Sequence, residues 1–461
     1  MENDQTSTET ETSRKISIRE SFWTWCRVAA LSFGGPAGQI AVMHRIIVDE
    51  KKWISEERFL HALNYCMLLP GPEAQQLATY IGWIMHRTIG GLMAGILFVL
   101  PGFVSILALS IVYVSYEDTS FVQALLFGLK PAVMAIVVEA VVRIGKRVLK
   151  NSIMVTLAAA SFVAIFFFAV PFPALIISAG LIGLVGSMIA PDRFDVIKGH
   201  VKIQETSTQS IFPGQFASHV GSWPSLLRSF YVSVIFLTLW FAPLVGVWLL
   251  FGVSSVYFQE GVFFSKAAVV TFGGAYSVLV YIAQQAVEKY GWLRPGEMLD
   301  GLGLAEATPG PLIMVVQFVA FIGAYRNPGS FSPMVGGIVG SILTTWVTFI
   351  PCFFWVFLGA PYMERLRENK RLNSGLSAIT AAVVGVVLNL AIWFSLHTLF
   401  GKVTTLNVYH MRLQVPEFAS ADLASCTIAI LACLLTFYWK KGMFVTLGIS
   451  AAAGVVLYMF R

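Results

Sequence analysis

Two glycine pairs and two Pro-Gly-Pro triplets lie inside apolar stretches, and they are the residues of this chain best suited to handle a solute. Ser32-Phe33-Gly34-Gly35-Pro36 recurs as Thr271-Phe272-Gly273-Gly274, and Pro70-Gly71-Pro72 recurs as Pro309-Gly310-Pro311. Relative to alanine, glycine costs a helix about 1 kcal/mol and proline about 3, so each motif predicts a helix break. In a bilayer such a break survives only where protein or a water-filled cavity covers the freed backbone. The freed N–H groups, together with the dipole of the half-helix that follows, favour an anion. Close helix packing through small residues is the competing explanation for one glycine pair. Two pairs at equivalent places favour a site.

The side chains near these motifs suit the same chemistry. Gln75, Gln76 and Gln317 follow the triplets, and their amides can donate to an oxyanion. Arg27 stands seven residues before Gly34, and Lys266 seven before Gly273. Seven residues is about 10 Å of helix, two turns, so each cation is expected to share a face with its break. Snorkelling to an interface is the alternative for both. Glu73, Glu306, Lys130 and Glu139 are ionisable groups in or near apolar segments and are candidates for carrying a coupled proton. His44, His61 and His86 near segment ends read as surface or packing residues.

The elements that position these residues are membrane helices. Hydrophobic residues make up 57% of the 461 and charged residues 12%, where a soluble domain carries about 25% charge. Apolar runs reach the roughly 20 residues that a helix needs to cross a bilayer, and they do not alternate as barrel strands would. The expected segments are 22–42, 59–82, 90–114, 121–142, 152–170 and 171–190, then a lone span at 229–251. A second set follows at 260–282, 298–324, 334–358, 373–397, 422–438 and 442–460. The organisation read from this is a polar tail (1–20), a first repeat (21–190), a polar linker (191–228), a linking span (229–251) and a second repeat (252–461).

An offset of 239 aligns the halves: it pairs Ser32 with Thr271, Trp53 with Trp292 and Pro70 with Pro309. Six segments return the chain to its starting face and the lone span crosses once more, so the repeats are inverted. That is a common transporter architecture, with the site between the repeats. Lys and Arg placement favours a cytoplasmic N-terminus. The segment 45–58, with Arg45, Lys51, Lys52 and Arg58, resists that assignment unless one of the first two segments is re-entrant. The five cysteines show no CxxC spacing and read as reduced filler. No Walker motif, HExxH or GxSxG is present.

At these motifs the chain resembles the chromate ion transporter family in its two-domain form. The residues that carry the resemblance are Phe33-Gly34-Gly35-Pro36 with Gln39, Trp53, and Leu69-Pro70-Gly71-Pro72 with Gln75. In half two they are Phe272-Gly273-Gly274, Trp292 and Thr308-Pro309-Gly310-Pro311. The resemblance covers roughly 20–190 and 260–460 and implies chromate transport, often efflux, with sulfate as a related oxyanion. Half two departs from it: Ala275 replaces the proline after the glycines, and Leu312 stands where half one has Glu73.

The expectation is an all-α polytopic membrane protein of two inverted six-segment repeats with discontinuous helices. It moves an oxyanion, chromate before sulfate, by ion-driven alternating access in the cell membrane. The expected partners are the oxyanion, the bilayer, a coupling proton and a second copy in a homodimer. No nucleic acid, cofactor, metal or catalysis is expected. A lipid-phosphate enzyme would need a clustered acid, base or nucleophile that the motifs do not supply. A scaffold would have no use for duplicated breaks.

Overall fold

The computed structural model describes residues 16–190, 194, 226–272, 274–294, 296–362, 370–409 and 411–459. Gly273, most of the polar tail and most of the linker therefore lie outside the described residues.

The expected first span is a hairpin. α1 (Ile18–Leu31) is capped by Ser17 and stops at Ser32. α2 (Gly35–His44) resumes after the glycines and runs into a π-helical turn, Arg45–Glu50. In one continuous helix residues 20 and 51 would be about 45 Å apart. Instead Lys51 Nζ lies 3.2 Å from Glu20 Oε1, and Arg27 Nη1 lies 2.7 Å from Glu50 Oε2. The chain has turned back at the break.

α3 (Glu56–Cys66) and the first limb of α4 (Glu73–Tyr116) do the same around Pro70-Gly71-Pro72, with the rings of Tyr65 and Tyr80 5.2 Å apart across the turn. α4 itself folds over at His86 and Arg87, which leave helical geometry. Gly82 then meets the backbone of Gly90, so residues 88–116 run back along 73–85.

Half two repeats the plan with α9 (Val256–Val270), α10 (Ala275–Gln284) and its π turn Gln285–Lys289, α11 (Glu297–Glu306) and α12 (Val315–Arg326). Phe264 stacks on Trp292 at 6.0 Å, closing the first hairpin. Arg326 Nη2 bridges Glu297 Oε1 at 2.6 Å, closing the second.

The expected spans 22–42, 59–82, 260–282 and 298–324 are thus re-entrant hairpins. An apolar run of span length reads the same whether the chain crosses or turns back. The parity survives, because two spans cross twice and two hairpins not at all, and both counts are even.

Among the described residues, six helices are long and apolar enough to cross: α4 through its residues 88–116, α5 (Ser120–Val148), α7 (Phe172–Ile189), α8 (Leu226–Phe251), α13 (Pro333–Gly359) and α14 (Lys370–Leu399). α6 (Ser152–Phe168), α15 (Leu423–Cys433, continued by a π turn to Tyr438) and α16 (Met443–Met459) are shorter apolar helices that complete the count of the expected segments. α8 is the linking span, and it sets half two upside down. One β-hairpin interrupts the helical plan: β1 (Val403–Val408) pairs antiparallel with β2 (Met411–Pro416), in a register running from Val403↔Pro416 to Val408↔Met411. Arg412 joins it to Glu288 at 3.1 Å, beside the mouth of the α9–α10 hairpin.

The repeat is visible atom by atom at the offset of 239. Ser32 Oγ donates to Val28 O at 2.6 Å, as Thr271 Oγ1 does to Ala267 O at 2.6 Å. Trp53 N donates to Ile47 O at 2.9 Å, as Trp292 N does to Ala286 O at 2.8 Å. The two hydroxyls bond back to a last-turn carbonyl just where each helix stops.

Candidate functional site

The four breaks meet at the centre of the molecule, and each triplet pairs with the glycine break of the opposite half. Gly71 N donates to Thr271 O at 2.8 Å, and Gly310 N donates to Ser32 O at 2.9 Å. These bonds exchange places under the offset of 239, so a pseudo-two-fold axis passes between them. Proline on each side removes the neighbouring N–H groups and leaves the glycine as the triplet's one donor. Both glycines hold positive φ, +129° at Gly71 and +101° at Gly310, which side chains disfavour.

Two kinked helices close over the triplets. Pro101-Gly102-Phe103 in α4 packs on Gly310: a methyl group built there would lie 3.0 Å from Gly102 Cα. Pro351-Cys352-Phe353 in α13 packs on Gly71, where a methyl group would lie 2.8 Å from Cys352 Sγ.

The amides expected to face a solute bond protein instead. Gln39 Nε2 donates to Gly310 O at 2.6 Å, Gln76 Nε2 to Pro70 O at 2.8 Å, Gln317 Nε2 to Phe103 O at 3.0 Å and Gln75 Nε2 to Thr79 Oγ1 at 3.0 Å. Three of these lock backbone at a break or kink. Phe33 packs edge-on to Phe444 at 5.3 Å, Phe272 is half-buried, and Pro36 and Pro72 open α2 and α4. Pro311 precedes a short 3-10 turn, Leu312–Met314.

The glycines leave an open place between the halves. Gly34 and Gly35 have φ +85° and +67°, and Gly274 has +99°. A methyl group on Gly274 would find Glu73 Oε1 at 4.0 Å, and one on Gly35 would find Tyr276 Oη at 3.8 Å. Tyr276 donates its hydroxyl to Glu306 Oε1. Glu306 is only 2% exposed, and its Oε2 takes no partner. Each half therefore presents an acid, or an acid-bound hydroxyl, to the other half's glycines.

The cations are placed otherwise than expected. Arg27 is paired with Glu50 and half exposed, and Lys266 is exposed on α9 with no ion pair among the described residues. Neither cation shares a helix face with its glycine break, because the chain leaves helical phase at Ser32 and at Thr271 and turns back. The basic groups that approach the breaks are on α5. Arg147 Nη2 lies 3.4 Å from Met67 Sδ at the head of the first triplet turn, and Arg143 stands one turn earlier on the same helix.

Glu139 pairs with Arg143 along the helix at 3.5 Å. Lys130 lies 3.4 Å from Asp300 Oδ2, to which Tyr113 also donates at 3.2 Å. Asp300 and Glu260 are acids inside apolar segments, a signal legible in the sequence but outside the repeated motifs. Tyr276, Arg143 and Arg147 carry no such signal.

A family model described as chromate transporter matches residues 19–184 and 258–455. The chain belongs to the chromate transporter family. A chromate transport protein of Pseudomonas aeruginosa is 30% identical over 378 residues, covering 81% of this chain and 80% of its own. One from Cupriavidus metallidurans is 26% identical over 386 residues, 82% of each. A probable chromate transport protein of Synechococcus elongatus is 24% identical over 433 residues, 92% of this chain and 96% of its own. No solved structure matches. Family and apolar helices together make this an integral membrane protein, and the two matched regions coincide with the two inverted repeats.

Proposed function

We propose that the chain carries a tetrahedral oxyanion, chromate before sulfate, across the cell membrane by ion-driven alternating access. The observation that carries this is the reciprocal pairing of Gly71 with Thr271 and of Gly310 with Ser32. It brings four discontinuous helices from two inverted repeats to one axis, the arrangement in which a solute site lies between the repeats. The anion seats at Gly34, Gly35 and Gly274, where freed backbone donors and missing side chains allow close approach.

Glu73 and Glu306 flank that seat. Two ionised carboxylates would repel a dianion, so an anion and a proton bind together, with Tyr276 orienting Glu306. Arg143 and Arg147 supply the attracting field that Arg27 and Lys266 do not.

We infer a cytoplasmic N-terminus from the placement of basic residues. Re-entrance moves Arg45, Lys51, Lys52 and Arg58 to the face that holds Arg19, Arg87, Lys146 and Lys150. It moves Lys289 and Arg294 to the opposite face, so the basic bias strengthens where the expected spans had weakened it.

Proteoliposomes loaded with chromate or sulfate test the reading. Counterflow of labelled anion is expected, accelerated by an imposed pH gradient. Absence of anion flux under every gradient would sink it.

A further inference from the structure

Glu260, on the second turn of α9, is the largest unexplained polar feature of the molecule. Its side chain is 0% exposed, and neither carboxyl oxygen has a hydrogen-bond partner. It makes no ion pair among the described residues. The groups around it are neutral. Tyr257, one turn earlier, donates its hydroxyl to Pro328 O at 2.9 Å. Trp292 packs beside it from the loop after α10; Ala320, Gly323 and Ala324 face it from α12 and Gly340 from α13, and α8 packs Leu244 against the adjoining Gly261.

The carboxyl fills a notch made by two absent methyl groups. One built on Gly323 would lie 2.7 Å from Glu260 Oε1, and one on Gly340 would lie 2.9 Å from Oε2. Half one shows the same joint without the acid. By the offset of 239 Ser21 is the equivalent of Glu260; a shift of two residues aligns Gly82 with Gly323, and a shift of seven, which also matches Gly90-Gly91 to Gly336-Gly337, aligns Ala94 with Gly340. There the Ala94 methyl closes the space, 2.7 Å from where a methyl on Gly82 would be. Packing alone is thus met by alanine and serine, and the acid in half two has some other use.

We propose that Glu260 is a proton-binding site confined to half two, and that its proton is exchanged only when the α9–α10 hairpin separates from α12 and α13. An ionised carboxylate with no partner is strongly disfavoured in such a place, so the closed joint holds the neutral acid. Opening the joint admits water; the O–H bond breaks, the proton leaves to water, and the carboxylate remains until a proton returns. Proton release is thereby tied to movement of one repeat. This rests on the transport reading and adds a second titrating position, remote from the anion seat.

The test uses the full chain with Glu260→Gln, and with Glu260→Ser combined with Gly340→Ala, which installs half one's packing. Infrared difference spectra of the purified protein are expected to show a protonated-carboxyl band at neutral pH that both variants lack. In proteoliposomes, labelled sulfate or chromate counterflow without a pH gradient should stay within about twofold of wild type, while gradient-driven accumulation falls about tenfold. A missing band in wild type, or undiminished gradient-driven accumulation in both variants, overturns the proposal. Absent counterflow in wild type would instead count against the transport reading, and the infrared band alone would then decide Glu260.

Discussion

The two halves share a backbone and differ in their acids. Half one places Glu73 at the first turn of α4, where Leu312 stands in half two; half two adds Tyr276–Glu306 at the centre and Glu260 in the notch that half one fills with Ser21 and Ala94. What is repeated is the set of breaks, the hydroxyl back-bonds and the π turns. Duplication has kept the parts that must fit each other and let the titrating groups diverge. Under the proposed transport cycle, that division would give symmetric movement with one-sided coupling.

Exchanging features between the halves should break this comparison in graded steps. The largest effect is expected at Gly310→Ala. Positive φ costs a side chain about 1–3 kcal/mol, and the new methyl would strike the Gly102 backbone, which cannot move aside. Transport should fall at least about tenfold, with less folded protein in detergent by size-exclusion chromatography. Gly71→Ala should be milder, because its methyl meets the side chains of Cys352 and Gln76, both 2.8 Å away, rather than backbone, and Cys352→Gly should relieve the first of these two contacts.

Next comes Glu306→Gln, expected to leave anion flux insensitive to a pH gradient. Tyr276→Phe should lower flux by about threefold, about 0.65 kcal/mol, within the net value of one ordinary hydrogen bond. Gln39→Ala should cost about 1 kcal/mol of stability, read as a small drop in thermal midpoint, because Gly310 O loses its amide donor. The smallest effect is expected for Arg27→Gln and Lys266→Gln: flux within about twofold of wild type, since Arg27 loses only an exposed ion pair and Lys266 is an exposed side chain with no ion pair among the described residues. A large loss at either would restore the cations to the pathway.

Much of the site was legible because glycine and proline act locally. Gly34-Gly35, Gly71 and Gly310 announce their breaks whatever surrounds them, and the offset of 239 is a property of the letters. Re-entrance was legible only through the basic segment 45–58, since hydropathy records that 22–42 suits lipid and not which way the chain leaves it. The contacts that decide direction, Lys51 with Glu20 and Arg326 with Glu297, join residues whose charges look like ordinary loop polarity. The protein partners of the glutamines were hidden for a related reason. An amide beside a break has a nearby carbonyl to serve, and that partner came from the other half for Gln39.

The crossed pairing of the triplets bears on how such a chain could have arisen. Gly71 needs a carbonyl that half one does not own, and Ser32 offers one that half one does not use. A gene encoding half one alone would make a protein with an orphan donor and an orphan acceptor at its centre. Its remedy is a second copy inserted the other way up, so a single-repeat ancestor is expected to have adopted dual topology and worked as an antiparallel pair. Fusion through α8 then fixed permanently an orientation that insertion had left to chance.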